Sequence, residues 1–251
     1  MASDESTLFA GGVEKGELSA LLRLMGRKVD PALLEFLLHQ GRNFLTGVGS
    51  SESPPEGRSG WQYEIIAERI PEGASILDLG CGEGNLLARL AREKGARVQG
   101  VELDADNIEV CVGKGVPVIQ ADLDLGLSVF PDSSFEYVIL EETLQTLRRP
   151  AGIISEMRRV GGRGIVTFPN FGYWRVRMDL AVRGRMPMTG WLPYRWYQTP
   201  NIHLFTIRDF MDYAEEIGMA LQEIHVLRDG ACHRFQSSDN LYAEEALVIF
   251  G

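Results

Sequence analysis

Three glycines at alternate positions, Gly80, Gly82 and Gly84, follow the apolar run Ser75-Ile76-Leu77-Asp78-Leu79, with Cys81 and Glu83 between them and the helical pattern Asn85–Lys94 directly after. Glycine at such spacing allows left-handed backbone and close approach of a ligand. The dinucleotide fingerprint G-x-G-x-x-G seats a pyrophosphate over a helix N-terminus. Here the spacing is tighter, and Asp78 precedes the first glycine by two residues. A diphosphate would meet negative charge there, whereas an ammonium group, such as the amino end of a methionyl moiety, would be attracted.

Further carboxylates fall at the ends of the next apolar runs. Glu102, with Leu103 after it, closes Arg97–Leu103, eighteen residues past Gly84; an acid at such a strand tip accepts hydrogen bonds from ribose hydroxyls in nucleotide-binding α/β proteins. Asp122 closes the third run and could accept from an exocyclic adenine amine, with Leu123 packing on the ring; Asp124 competes for that role, and a turn or N-cap Asp is the plainer alternative. The fourth run ends in Glu141-Glu142-Thr143-Leu144-Gln145, polar side chains at the carboxyl edge where α/β ligands sit; Glu141 is either a ligand contact or part of a solvated acidic loop.

Between Asn170 and Pro200 stand Arg175, Arg177, Arg183, Arg185 and Arg195 against one acid, Asp179, with Phe171, Tyr173, Trp174, Trp191, Tyr194, Trp196 and Tyr197 interleaved. Arg beside Trp and Tyr is the composition of interface hot spots and of base-stacking surfaces; a lid with aromatics turned into the core fits equally. No histidine spacing suits a metal. His203 alone falls near the ligand edge, as a general base or a structural hydrogen-bonding residue. With neither a G-x-S-x-G elbow nor a Cys-His arrangement, no covalent nucleophile stands out.

The elements that must position these groups alternate from Trp61 onward. SILDLG, RVQGVEL, VPVIQAD, FEYVIL and GIVTF read as strands with helical stretches between them. That rhythm predicts an α/β fold, a doubly wound, mostly parallel sheet with helices on both faces. After Pro169 it breaks for about thirty residues. Thr206–Gly218 then reads as a helix opened by a Thr-x-x-Asp capping box, and LQEIHVL and EEALVIF complete a seven-stranded sheet. Residues 1–46 carry two short helical patterns, Glu17–Met25 and Pro31–Gln40, expected to form a helical extension, and 47–60 are rich in Gly, Ser and Pro, as a linker would be. Residues 61–251 then make the ligand-binding domain.

With 251 residues, 45% hydrophobic and 24% charged, the chain has the composition of a globular protein. Lys and Arg number 25 against 35 Asp and Glu, and the formal charge of −10 disfavours nucleic acid as a partner. The three cysteines, Cys81, Cys111 and Cys232, are odd in number and widely spaced, which suits a reducing cytoplasm. The acidic start, Met1–Thr7, is unlike a signal peptide, and no apolar run approaches the ~20 residues of a membrane span.

From about Gly60 to Leu227 the chain resembles the methionine biosynthesis protein MetW family, a branch of the class I S-adenosylmethionine-dependent methyltransferases. The resemblance is carried by ERIPEGASILDLGCGEG, VELDADNIEVCVGKGV, ADLDLGL with DSSFEYVIL, EMRRVGGRGIVTFPNFGYWRVR, and above all GRMPMTGWLPYRWYQTPNIHLFT. It implies a Rossmann-like fold and S-adenosyl-L-methionine as cofactor. It implies cofactor roles for Asp78, Gly80, Gly82, Gly84, Glu102 and Asp122, around which Cys81, Glu83, Leu103, Leu123 and Glu141 complete the expected site. It also implies a place beside homoserine O-acyltransferase as a partner that supports homoserine acylation, while naming no methyl acceptor. A stand-alone small-molecule methyltransferase is the alternative, with an RNA methyltransferase behind it. Glu141-Glu142-Thr143 is more acidic than the family pattern, and Arg148-Arg149 replaces a neutral residue expected before Pro150.

Overall fold

The computed structural model describes residues 60–251, apart from the side chains of 182 and 183; the expected helical extension of 1–46 and the linker up to residue 59 lie outside the described residues. The apolar runs become strands β1 (Ser75–Leu79), β2 (Arg97–Glu102), β3 (Val118–Gln120), β4 (Phe135–Leu140), β5 (Gly161–Pro169), β6 (Leu221–Arg228), β7 (Ala231–Arg234) and β8 (Glu245–Phe250). Between them lie helices α1 (Trp61–Arg69), α2 (Asn85–Lys94), α3 (Ala105–Gly113), α4 (Pro150–Val160), α5 (Trp174–Arg183), α6 (Ile207–Glu216) and α7 (Asp239–Tyr242).

All eight strands form one sheet in the order β3-β2-β1-β4-β5-β8-β6-β7. Strands β1 to β5 pair in parallel, β8 inserts antiparallel between β5 and β6, and β7 pairs antiparallel with β6. The doubly wound, mostly parallel sheet of seven strands is therefore present, with β7 added at one edge. Its sequence, Ala-Cys-His-Arg, is short and largely exposed, so it carries no apolar run to read.

Central strands are apolar on both faces because helices cover both. Leu77, Leu79, Val138, Leu140, Val166 and Phe168 face α4 and α6, packing on Ile153, Ile154, Met157 and Phe210. The alternate residues Ile76, Tyr137, Ile139, Ile165, Leu247 and Ile249 face α1 to α3, packing on Ile66, Leu86, Leu87 and Leu90. Helix α2 is punctuated by glycine at both ends, Gly84 and Gly95, each in the left-handed region. The capping box of α6 forms as read, Thr206 and Asp209 each accepting the other's backbone N–H. Helix α5 falls where the sequence pattern broke off. Its neighbourhood forms a small separate cluster, with Tyr173, Val176 and Leu192 buried against Phe171 and Trp174.

Candidate functional site

Strand alternation decides which acids meet. Asp78 shares the α1–α3 face with Ile76, and in register Asp78 lies opposite Ile139 of β4, so Glu141, two residues on, emerges on that same face. Glu245 of β8 shares it through Leu247 and Ile249. Parallel β1 and β4 end where antiparallel β8 begins, so the three carboxyls gather at one edge of the sheet, under α1.

Asp78 is 3% exposed, and its Oδ1 has no hydrogen-bond partner. Burial, and next the Glu102 charge, push its carboxyl up to about 7. Glu141 is pushed up to about 8 by burial, then by Asp78 and Glu142. Glu245, 1% exposed, accepts from Trp61 Nε1 at 2.8 Å and Gln62 Nε2 at 3.0 Å. Burial first, then the nearby Glu142 carboxyl, hold it well above the carboxylate range.

Gly80, Gly82 and Gly84 all have positive φ, as the spacing predicts. A Cβ on Gly80 would stand 2.8 Å from Thr143 Oγ1, and one on Gly84 2.9 Å from Cys111 Sγ, while Gly82 faces open space. The turn uses its own donors: Gly80 and Cys81 N–H donate to Val101 O at 2.8 and 3.1 Å, and Gly84 N–H to Cys81 O at 2.9 Å. Gly82 N–H donates to Glu102 Oε2 at 2.8 Å. These four N–H groups are thus spent within the chain. The Cys81 thiol, half-buried, is pushed up by burial and then by Asp78, so it is no thiolate nucleophile.

Glu102 is anchored differently. Besides Gly82 N–H, Leu103 and Asp104 N–H donate to its Oε1 at 2.7 and 2.9 Å. Asp122 accepts from Asp124 N–H at 2.9 Å and caps the 3₁₀ turn Leu123–Leu125. Asp124, its competitor in sequence, accepts from Arg148 and Arg149 N–H at 3.2 and 3.0 Å and ties down the start of α4. Leu103 is exposed, and Leu123 joins the core under the sheet edge. Glu83 is bound by Lys114, whose Nζ donates to Glu83 O at 2.9 Å and Asn85 Oδ1 at 2.6 Å.

A cavity of about 710 Å³ opens over this edge. Of the residues predicted from sequence, Asp78, Gly80, Cys81, Gly82, Glu83 and Glu141 line it, whereas Gly84 at the start of α2, Glu102 and Leu103 at the end of β2, and Asp122 and Leu123 after β3 are not among its lining residues. Sequence reasoning missed Gln62 and Tyr63 from α1, Asn85 and Leu86 from α2, and Thr146 after β4, and it placed Glu142 and Gln145 at the ligand edge without assigning them a contact. The remaining wall comes from the Arg- and Trp-rich segment: Gly190, Trp191, Pro193, Tyr194, Pro200 and Asn201.

That segment divides its roles. Trp191 Nε1 donates to Glu244, fixing the wall, and Ile202 and His203 N–H both donate to Gln145 O, at 2.9 and 3.0 Å, closing it at its other end. The outer face carries Met186, Met188, Trp196 and Tyr197 exposed around Arg185 and Arg195. His203 is not among the cavity-lining residues, and among the described residues no cluster of His, Cys, Asp and Glu could hold a metal. Nor is any described helix long and apolar enough to cross a membrane.

A family model described as methionine biosynthesis protein MetW matches residues 61–250. The chain is 37% identical over 199 residues to the bifunctional methionine biosynthesis protein MetXA/MetW of Rhodopirellula baltica, an alignment covering 74% of this chain and 32% of that protein, so the chain spans about a third of that relative. It is 26% identical over 178 residues to demethylmenaquinone methyltransferase of Bacillus licheniformis, covering 64% and 77% of the two. Among solved structures it is similar to a methyltransferase bound to the Trm112 methyltransferase activator of Haloferax volcanii, with TM-score 0.58, 15% identity and 78% and 90% of the chains covered. The S-adenosylmethionine-dependent methyltransferase of Mesorhizobium loti gives TM-score 0.57 at 18% identity, covering 78% and 98%. The matched span includes every strand of the sheet and the turn at its edge, and the chain therefore belongs to the MetW family, on a class I methyltransferase fold.

Proposed function

We propose that residues 61–251 bind S-adenosylmethionine at the β1 turn and that the protein serves methionine biosynthesis in the cytoplasm as a partner of homoserine O-acyltransferase. The observation that carries the cofactor reading is the buried, unpartnered Oδ1 of Asp78, in a cavity that the open face of Gly82 also lines. An ammonium group satisfies such an oxygen, and a phosphate does not. Asp78, Gly80, Cys81, Gly82, Glu83 and Glu141 would hold the amino-acid end; Gly84, Glu102, Leu103, Asp122 and Leu123 would hold the nucleoside on the β2–β3 flank. When bound, the cofactor supplies an activated methyl group on a sulfonium. Transfer from it draws mainly on positioning, so the site needs no general base.

The partner reading draws on the outer face of the 185–197 segment, where Trp196 is 73% exposed beside Tyr197, Met186 and Met188, with Arg185 and Arg195 at hand. Exposed aromatics among arginines suit a protein interface. The Rhodopirellula protein bears both names, MetXA and MetW, on one polypeptide; we read its MetXA portion as the acyltransferase. A stand-alone small-molecule methyltransferase is the second reading, favoured by the aromatic wall of Trp191 and Tyr194 over the cavity.

Two measurements test the proposal. S-adenosylhomocysteine at a hundredfold excess over its Kd adds about 2.7 kcal/mol to the folded state, and melting should rise accordingly; no shift would remove the cofactor reading. Mixed with homoserine O-acyltransferase, the chain should co-elute and speed acylation, and Trp196→Ala should separate the two without altering the melting temperature. Separate elution of the wild-type proteins with an unchanged acylation rate would remove the partner reading.

A further inference from the structure

The inner end of the cavity, lined by α1 and the residues after β4, has a chemistry of its own. Gln62 and Gln145 are 1% and 4% exposed, and both line the cavity. Each spends its amide N–H₂, Gln62 on Glu245 at 3.0 Å and Gln145 on the Glu142 carbonyl at 2.7 Å. Each leaves its Oε1 with no donor at all. Burying an acceptor without a donor is unfavourable, so two in the lining of one cavity mark a place where a donor is missing.

A residue with strained backbone lines the same cavity. Glu142 holds φ +46°, in the left-handed region that side chains rarely occupy, pinned there by its N–H donating to Thr167 O at 3.2 Å and Thr167 Oγ1 at 3.0 Å. Such strain persists where the surroundings impose it and gathers at binding sites. Acceptors and acids are joined by the rings of Tyr63, Trp191 and Tyr194, whose faces favour a cation. Burial, with Glu141 nearby, raises the Tyr63 phenol to about 12, so it stays neutral. Among the described residues, no Lys, Arg or His lines the cavity.

We propose that this inner end binds a small primary or secondary amine that carries no carboxylate, held by Gln62, Gln145 and Glu142 and enclosed by Tyr63, Trp191 and Tyr194. Its ammonium supplies the donors that both Gln side chains lack and opposes the acid cluster. A carboxylate on the same molecule would face Glu141 and Glu142 with no cation to receive it. The proposal rests on the cofactor reading above only in placing this ligand beside a nucleoside, and the two can fail separately.

The test is the melting temperature of the full chain at matched ionic strength, with and without saturating S-adenosylhomocysteine, in the presence of n-butylamine, 1,4-diaminobutane, butyrate, 1-butanol or homoserine. Either amine should stabilise the chain, and do so additively with S-adenosylhomocysteine, while butyrate, butanol and homoserine leave it unchanged. Gln145→Leu and Glu142→Gln should each weaken the amine effect roughly tenfold, and the S-adenosylhomocysteine effect should persist in both. The proposal is overturned if butyrate acts as well as the amines, or if the amine effect disappears once S-adenosylhomocysteine saturates. Nucleoside stabilisation without any amine effect overturns it alone; an amine effect without nucleoside stabilisation overturns the cofactor reading alone; silence from both overturns both.

Discussion

Glu102 and Asp78 end neighbouring parallel strands on two sides of one glycine turn, yet their carboxylates are treated in opposite ways. Glu102 receives three backbone N–H groups, from Gly82, Leu103 and Asp104. Asp78 is buried with Oδ1 unpartnered and faces the cavity. The first arrangement ties the turn to β2 and fixes its shape. The second leaves an unmet demand that a donor from outside the chain can satisfy. One flank of the site is thus built as scaffold and the other as receptor, although the residue types are nearly the same.

The sharpest way to break this contrast is Glu102→Ala. It strips three charge-assisted bonds at once and should lower stability by about 3 kcal/mol, or roughly 10 °C in melting temperature, with loss of S-adenosylhomocysteine binding; a change under a degree would mean the three bonds are incidental. Asp78→Asn should act with the opposite sign on the fold. At pH 8 it removes a buried charge, so the urea midpoint should rise, while binding of S-adenosylmethionine weakens roughly tenfold. A lowered midpoint would show that Asp78 is satisfied in the free protein after all.

The gentlest probe is pH. The carboxyls of Asp78 and Glu141 are raised to about 7 and about 8, from ordinary values of 3.8 and 4.5. Between about 4 and 8 the folded chain retains protons that the unfolded chain has released, so the stability they contribute, full below pH 4, declines as pH rises through 7 and 8. Binding of the cationic S-adenosylmethionine should strengthen over the same upper range, as these acids become charged. Urea midpoints and calorimetric affinities at pH 6 and 9 check both signs, and in Asp78→Asn both slopes should flatten.

Much of the scaffold flank was legible. Local spacing announces the turn, because positive φ at alternate positions needs glycine, and the capping box of α6 is a four-residue signal with its own chemistry. Helix α5 was not legible: its buried residues Val176 and Met178 alternate with Arg175 and Arg177, so no apolar stripe stands out. The Arg- and aromatic-rich segment showed itself by composition, but its division into an inner wall at Trp191 and Tyr194 and an outer face at Trp196 depends on contacts with Glu244 and Gln145. Gln62 gave no signal and Gln145 only a place at the ligand edge, since an unsatisfied amide oxygen exists only once its surroundings are in place.

By itself the sequence determined the α/β alternation, the glycine turn and the acids at the strand tips, because period-two burial, backbone dihedral limits and turn spacing are properties of a few adjacent residues. The tertiary structure decided which acids share a face and which find donors. Asp78, Glu141 and Glu245 meet only through the pairing of β1 with β4 and the antiparallel insertion of β8. Burial that shifts their protonation is a property of everything packed around them, α1 included, and no local pattern encodes it.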